Sequence, residues 1–385
     1  MSAPLYIDTA PELAAFVAAA RREGRVGVDT EAASFHRYRD RIYLLQISSP
    51  TQTALIDPVA IAAPDLAPVG ALLADPQLEK TFHDADYDLR VLDRDYGFRA
   101  VHLFDTRIAA QLAGEPAIGL AALLEKYLGV KLQKEHQKAD WSIRPLTPPM
   151  LAYAAADTRF LLALRDALEQ RLNALGRLPW AVEEFQQLES LRWTGGGPGS
   201  GGEGGGEAEA YLRIKGAKGL SPRNLAALRL LHRWRDTVAE RDDKAPFRII
   251  GNDALLGVSR ALPATRADLT QIKDLPGSLA RRHGDALLDA VLRATALRES
   301  ELPRFERRPR MPKDPGFDVR LERAKGVRNR IAAELGLDPG VLSGRTTLEA
   351  VVRARPVDRA ALEQISEIRR WQIGVLGDAL LEAVR

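Results

Sequence analysis

Val26-Gly27-Val28-Asp29-Thr30-Glu31 runs from small apolar residues straight into two acids. Val26 and Val28 read as the buried face of a short strand. Side chains alternate along a strand, so Asp29 and Glu31, at i and i+2, leave on one face. Like charges so placed destabilise a sheet unless a positive partner holds them. A divalent cation is an effective partner, and oxygen-rich carboxylate sites suit magnesium or manganese. The plainer reading is that one acid caps the following loop and the other is solvated. The rest of the chain must supply further ligands if the metal reading is right.

The 385 residues suggest two or three domains at ~150 residues each. A hydrophobic content of 45% is ample for packed cores. The absence of cysteine excludes disulfides and thiolate-based zinc or iron–sulfur sites. No charged-then-apolar leader and no run near ~18 apolar residues is present, so a cytoplasmic protein with no membrane contact is expected, acting as a monomer. Net charge is +3 but unevenly spread: residues 1–190 hold 20 Lys+Arg against 26 Asp+Glu, and residues 191–385 hold 35 against 26. An acidic half joined to a basic half suggests catalysis in one and polyanion binding in the other. Uneven surface solvation is the alternative.

Around the opening stretch the pattern alternates between strand and helix. Leu5–Ile7 reads as a strand. Thr9–Arg22 reads as a helix opened by a capping box, Thr-Ala-Pro-Glu. Ile42–Ile47 and Thr53–Asp57 read as two more strands, and Lys80–His83 as a short one. Helical stretches are expected at 66–73, 84–96, 105–112, 120–128, 149–174 and 181–192, giving a mixed sheet flanked by helices. Residues 195–206 hold nine glycines in twelve and read as a flexible linker. Beyond it, a shift of 93 residues aligns the chain with itself: Arg235 with Arg328, Pro246 with Pro339, Leu255 with Leu348, and 284–288 with 377–381. Each copy reads as a small all-α helical bundle. The connector between them is rich in proline and arginine (Arg304, Arg307, Arg308, Arg310). The expected domains are therefore 1–193, a linker at 194–210, 211–298, a connector at 299–316, and 317–385.

Further acids stand where they could join Asp29 and Glu31. Asp84 and Asp88 share a face if both are helical. Tyr153-Ala-Ala-Ala-Asp157 puts a phenol and a carboxylate on one face, with alanines that let a neighbour approach. Asp105 reads as a helix N-cap. Phosphodiester cleavage by two divalent ions ~3.5–4 Å apart needs such a carboxylate set. A tyrosine can orient the attacking water.

Asp29-Thr-Glu31, His83 with Asp88 five residues on, and Tyr153-x-x-x-Asp157 resemble the three motifs of the DEDD exonucleases in their tyrosine (DEDDy) branch. In the histidine branch a histidine precedes the last aspartate by five residues, and here that position is Ala152. Asp140-Trp141 with Arg144-Pro145-Leu146 is similar to a further stretch of the ribonuclease D family, and the two repeats resemble HRDC domains. The resemblance implies an α/β, ribonuclease H-like N-terminal domain followed by two all-α bundles. It implies a 3′→5′ exoribonuclease that uses two Mg²⁺ or Mn²⁺ ions and releases nucleoside 5′-monophosphates from structured RNA such as tRNA precursors. Asp29, Glu31, Asp88 and Asp157 would be the metal ligands, Asp29 bridging, and Tyr153 would position the water. His83 would pack or lie near substrate, whereas His136, in a polar loop, reads as solvated. The family often carries a bulky apolar residue directly after the first motif. Here Ala32 and Ala33 follow instead, so Phe35, Tyr38 and Gln46 are the candidates for nucleotide contact.

In the basic half, Arg229 and Arg233 sit one helical turn apart beside Trp234, which reads as core. They are candidates for salt-dependent phosphate contact. The matched Arg235 and Arg328 read as structural. Two rival functions stay open at this level: a 3′→5′ exonuclease on DNA, because motifs do not name the sugar, and a binding scaffold with a silent nuclease fold.

Overall fold

The computed structural model describes residues 3–132, 135–194, 207–305 and 314–385. The glycine-rich stretch 195–206, and Arg307, Arg308 and Arg310 of the connector, lie outside them. Among the described residues, β1 (Leu5–Ile7), β2 (Arg25–Ala32), β3 (Ile42–Ser48), β4 (Thr53–Ile56), β5 (Glu79–Phe82) and β6 (Leu103–Asp105) form one sheet in the order β1-β4-β3-β2-β5-β6. β2, β3 and β4 run as an antiparallel meander. β1 lies parallel to β4, and β5 and β6 extend the other side in parallel. Every residue of β3 is buried, as a strand covered on both faces requires.

The two faces are covered by different helices. α1 (Ala10–Arg22) and α2 (Ala67–Leu73) share a core with Val26 and Val28. Burying each valine contributes about 1.5–3 kcal/mol. The opposite face, that of Gly27, Asp29 and Glu31, meets α6 (Pro148–Arg159) and α7 (Leu161–Ala174). Gly27 permits a close approach there, since a Cβ would stand 3.0 Å from the Thr158 carbonyl oxygen and 3.2 Å from Leu161 Cβ. α3 (Asp86–Tyr96), α4 (Thr106–Leu112), α5 (Leu120–Leu128) and α8 (Leu178–Glu189) complete this part of the molecule.

Three expectations fail locally. The Thr9 hydroxyl bonds the Glu12 carboxylate (2.6 Å) rather than a backbone N–H, so α1 has no capping box. Asp84 stands before α3 with φ +68°, its carboxylate paired with Arg107, so it does not share a helical face with Asp88. The single helix expected over 149–174 is two, because Phe160 (φ −105°, ψ −2°) ends α6 and starts α7.

The 93-residue shift holds in three dimensions. α9 (Pro222–Arg241), α10 (Pro246–Ile249), α11 (Asn252–Ala261), α12 (Arg266–Thr270) and α13 (Gly277–Thr295) form the first repeat. α14 (Phe317–Leu335), α15 (Pro339–Leu342), α16 (Arg345–Ala354), α17 (Arg359–Glu363) and α18 (Arg370–Val384) form the second. α11 and α16 correspond end to end, and each closes on a left-handed residue, Leu262 or Arg355. The Arg266–Asp285 ion pair recurs as Arg359–Asp378. Arg235 donates to the Ile250 carbonyl (3.4 Å) and Arg328 to the equivalent Ser343 carbonyl (3.1 Å), so both fasten their own bundles.

Both repeats pack on the α/β part. Arg177 donates to the carbonyls of Leu112 (2.8 Å) and Leu335 (2.6 Å), tying α4 to α14. Trp180 stacks on Trp371 with ring centroids 5.0 Å apart. Glu183 of α8 accepts the backbone N–H groups of Arg370 (2.7 Å) and Trp371 (3.0 Å), filling the exposed donors at the start of α18. The first repeat instead meets the loop after β2. There Asp243 faces Arg37 (3.3 Å), and Ala245 N–H donates to the His36 carbonyl (3.3 Å).

Candidate metal centre

β2 brings Asp29 and Glu31 out on one face, and α6 lays Asp157 across it. Oxygens of these three carboxylates all lie within 4.8 Å of one another. β5 pairs with β2 over Arg25–Gly27. Beyond that pairing the chain turns into α3 and carries Asp88 to the edge of β2, where the Thr30 hydroxyl donates to its carboxylate at 2.5 Å. Tyr153, one helical turn before Asp157, donates its hydroxyl to that carboxylate.

The electrostatics are those of an unbalanced acid cluster. Burial, then the charge of Asp157, pushes the Asp29 carboxyl well above the usual carboxylate range. Burial and the neighbouring acids do the same to Glu31 and Asp88. Burial pushes Asp157 up to about 7, against the lowering effect of the Tyr153 hydroxyl. At an effective dielectric of ~20, two ionised carboxylates this close repel by roughly 3.5 kcal/mol. The influences on Asp29, Glu31, Asp88 and Asp157 are burial, the other acids, hydroxyls and backbone N–H groups, with no lysine or arginine among them. An all-oxygen set with surplus negative charge suits a hard divalent cation, so the donor set fits the metal expected here.

Beside the acids lies a cavity of about 460 Å³ lined by Asp29, His83, Arg107, Leu120, Tyr153 and Asp157, among others. Thr106 donates its hydroxyl to the Phe82 carbonyl (3.0 Å), so it accepts from His83 Nδ1 (2.9 Å) and leaves Nε2 as the unprotonated nitrogen. Burial lowers the His83 pKa to about 4, keeping the ring neutral. Asp105 is the N-cap of α4, accepting from the N–H groups of Arg107 (2.8 Å) and Ile108 (3.0 Å). It also holds the Ala85 N–H (2.7 Å) just before α3.

Other expected contacts fall elsewhere. Gln46 lies opposite Asp29 in the sheet but is 0% exposed, so it offers no surface to a nucleotide; neither of its amide atoms has a hydrogen-bond partner among the described residues. Tyr38 packs half-buried against the first repeat. Phe35 is exposed beyond the end of β2. Arg229 is half-buried and Arg233 exposed on α9, both close enough to act on the Tyr211 hydroxyl. Trp234 packs into the first repeat's core, edge-on to His283. His136 is not merely solvated: its ring lies edge-on to Tyr153, centroids 6.2 Å apart. Trp141 is fully buried and also packs on Tyr153, centroids 6.1 Å apart, and Arg144 braces Asp57 and the Trp141 carbonyl. Arg107, Leu120 and His136 were missed because no local pattern marks a residue brought in from another element.

Sheet order, acid cluster and helical repeats together define a 3′→5′ exonuclease with two appended HRDC domains. Residues 4–173 match the 3′-5′ exonuclease family, and residues 224–291 and 318–384 each match the HRDC domain. A ribonuclease D of Acidiphilium cryptum is 30% identical over 389 residues, covering 98% of this chain and 92% of that protein. That of Escherichia coli K12 is 34% identical over 298 residues, covering 77% and 76%. The crystal structure of Escherichia coli RNase D, described as an exoribonuclease involved in structured RNA processing, superposes with a TM-score of 0.71 at 28% identity, covering 100% of this chain and 99% of that one. A protein from Bifidobacterium adolescentis gives 0.80 at 26%, covering 99% and 97%. The chain belongs to the ribonuclease D family of 3′→5′ exoribonucleases. The exonuclease fold with this acid cluster implies dependence on a divalent metal. Among the described residues no helix is long and apolar enough to cross a membrane.

Proposed function

We propose that this protein, as a monomer, trims the 3′ ends of structured RNA such as tRNA precursors, releasing nucleoside 5′-monophosphates. In this reading Asp29, Glu31, Asp88 and Asp157 hold two Mg²⁺ or Mn²⁺ ions, with Asp29 between them. The observation that carries it is the cluster of Asp29, Glu31 and Asp157 oxygens within 4.8 Å and without a cationic partner. Two such ions supply an acidified water and charge stabilisation at the scissile phosphate. The chain's own groups do the positioning. Burial and the surrounding acids raise the Tyr153 pKa, so its phenol stays protonated and orients the attacking water by hydrogen bonding rather than removing its proton. Thr30 fixes Asp88. The cavity beside the acids is within the size range of small-ligand sites and receives the terminal nucleotide.

Incubation with tRNA precursor and with single-stranded DNA, in Mg²⁺ or in EDTA, tests the reading. Metal-dependent shortening of the RNA is expected. Loss of neither polymer would refute the activity, and faster loss of DNA would refute the RNA preference. Asp29→Asn is expected to abolish shortening and to remove the thermal stabilisation given by Mn²⁺, while RNA binding persists. A folded variant that still trims would contradict the site.

A further inference from the structure

Phe35 and Phe247 are exposed, 50% and 54% accessible, yet they meet each other across two domains. Phe35 sits in the turn after β2, Phe247 in α10 of the first repeat. Their rings meet edge to face, centroids 6.3 Å apart. A pair serving only to dock two domains would lie covered. This one keeps about half of each ring in solvent.

Its rim is basic. Lys138 Nζ stands 5.7 Å from the Phe35 ring centroid. Arg248 Nε donates to the Phe35 carbonyl (2.5 Å), and its Nη2 meets His36 Nδ1 (3.1 Å). The turn carrying Phe35 and the segment carrying Lys138 both lead into the acid cluster. Phe35 follows Glu31 by four residues, at most about 14 Å of chain. The segment carrying Lys138 also carries His136, which lies against Tyr153, and Gln137, which lines the cavity.

We propose that Phe35 and Phe247 form a composite stacking site for an unpaired base of the RNA, a few nucleotides upstream of the 3′ end being cut. Lys138 and Arg248 face the flanking phosphates. Aromatic rings bordered by cations bind single strands with little regard to sequence, because every base has a π face. At ~3.4 Å per stacked base the chain length from Glu31 to Phe35 corresponds to at most about four nucleotides. The site depends on the RNA reading above, and it makes the first repeat part of the strand's path.

Two substrates separate the contributions: a dinucleotide, too short to leave the cavity, and an RNA with a single-stranded 3′ tail. With the full chain in Mg²⁺, Phe247→Leu keeps an apolar contact to Phe35 but removes the ring. It is expected to raise KM for the tailed RNA about tenfold and to change dinucleotide hydrolysis less than twofold. Phe247→Trp is expected to restore the tailed-RNA KM. Fluorescence of 2-aminopurine placed about four nucleotides from the 3′ end is expected to be quenched by wild type and by Phe247→Trp, not by Phe247→Leu. If Phe247→Leu matches wild type on tailed RNA, the pair is a docking contact and the proposal falls. If it impairs the dinucleotide equally, the effect runs through the acid cluster and the proposal also falls. Failure of wild type on both substrates would instead overturn the exonuclease reading.

Discussion

His83 shows how a single side chain at this site is tuned. Its ring is half-buried, donates from Nδ1 to Thr106, and has its pKa lowered to about 4 against an ordinary 6.5, chiefly by desolvation; the nearby Asp84 opposes the shift and Arg107 adds to it. The neutral form is therefore favoured in the folded state. Below pH 6.5 the unfolded chain takes up a proton that the folded chain refuses, so this residue withdraws stability as pH falls from 6.5 towards 4. The shift corresponds to at most about 3 kcal/mol. Urea denaturation of wild type and His83→Gln is expected to show a constant difference above pH 7, then a drift in the variant's favour by up to that amount at pH 4. That Asp29, Glu31 and Asp157 stand together was legible at this scale because two short spacings, i and i+2 on a strand and a carboxylate one helical turn after a phenol, mark them. Asp84 was not, since nothing in Phe-His-Asp-Ala-Asp announces a left-handed residue ahead of the helix.

β2 and α6 together make the cluster, and their spacing is set by the absence of a side chain at Gly27. Gly27→Val would press a branched side chain against the Thr158 carbonyl and Leu161. It is expected to cost at least about 2 kcal/mol in urea denaturation. It should also lower kcat more than KM, because Asp29 moves relative to Tyr153 and Asp157. The strands of the meander were readable from alternation and their bounding turns. The division of α6 from α7 was not. Residues 149–174 carry strong helix formers with no internal glycine or proline after the start, and the break at Phe160 is imposed by packing over the sheet rather than by propensity.

The molecule as a whole is an α/β body held by two copies of one helical unit. The 93-residue shift was legible because the copies match without gaps. Where each copy sits was not, because contacts between distant segments leave no period in the sequence. On the second copy the Trp180–Trp371 stack, with the bond from Trp371 Nε1 to Glu184 (2.8 Å), is the main apolar anchor. Trp371→Ala is expected to weaken docking by about 3 kcal/mol. Hydrogen exchange should then quicken along α18 and the facing surface of α8 while protection in β2 and β3 persists.

Each copy touches the body at one equivalent position. In each, the turn after the first long helix contains a left-handed residue, Asp243 in one and Gly336 in the other, 93 positions apart. Asp243 faces Arg37 in the loop after β2, whereas Gly336 lies against Gly114, where a Cβ on Gly114 would come within 2.6 Å of the Gly336 carbonyl oxygen. Duplication thus carried one contact position into both copies, and divergence changed what it presents: a charged edge to the loop after β2 in one, a glycine-smoothed one beyond α4 in the other.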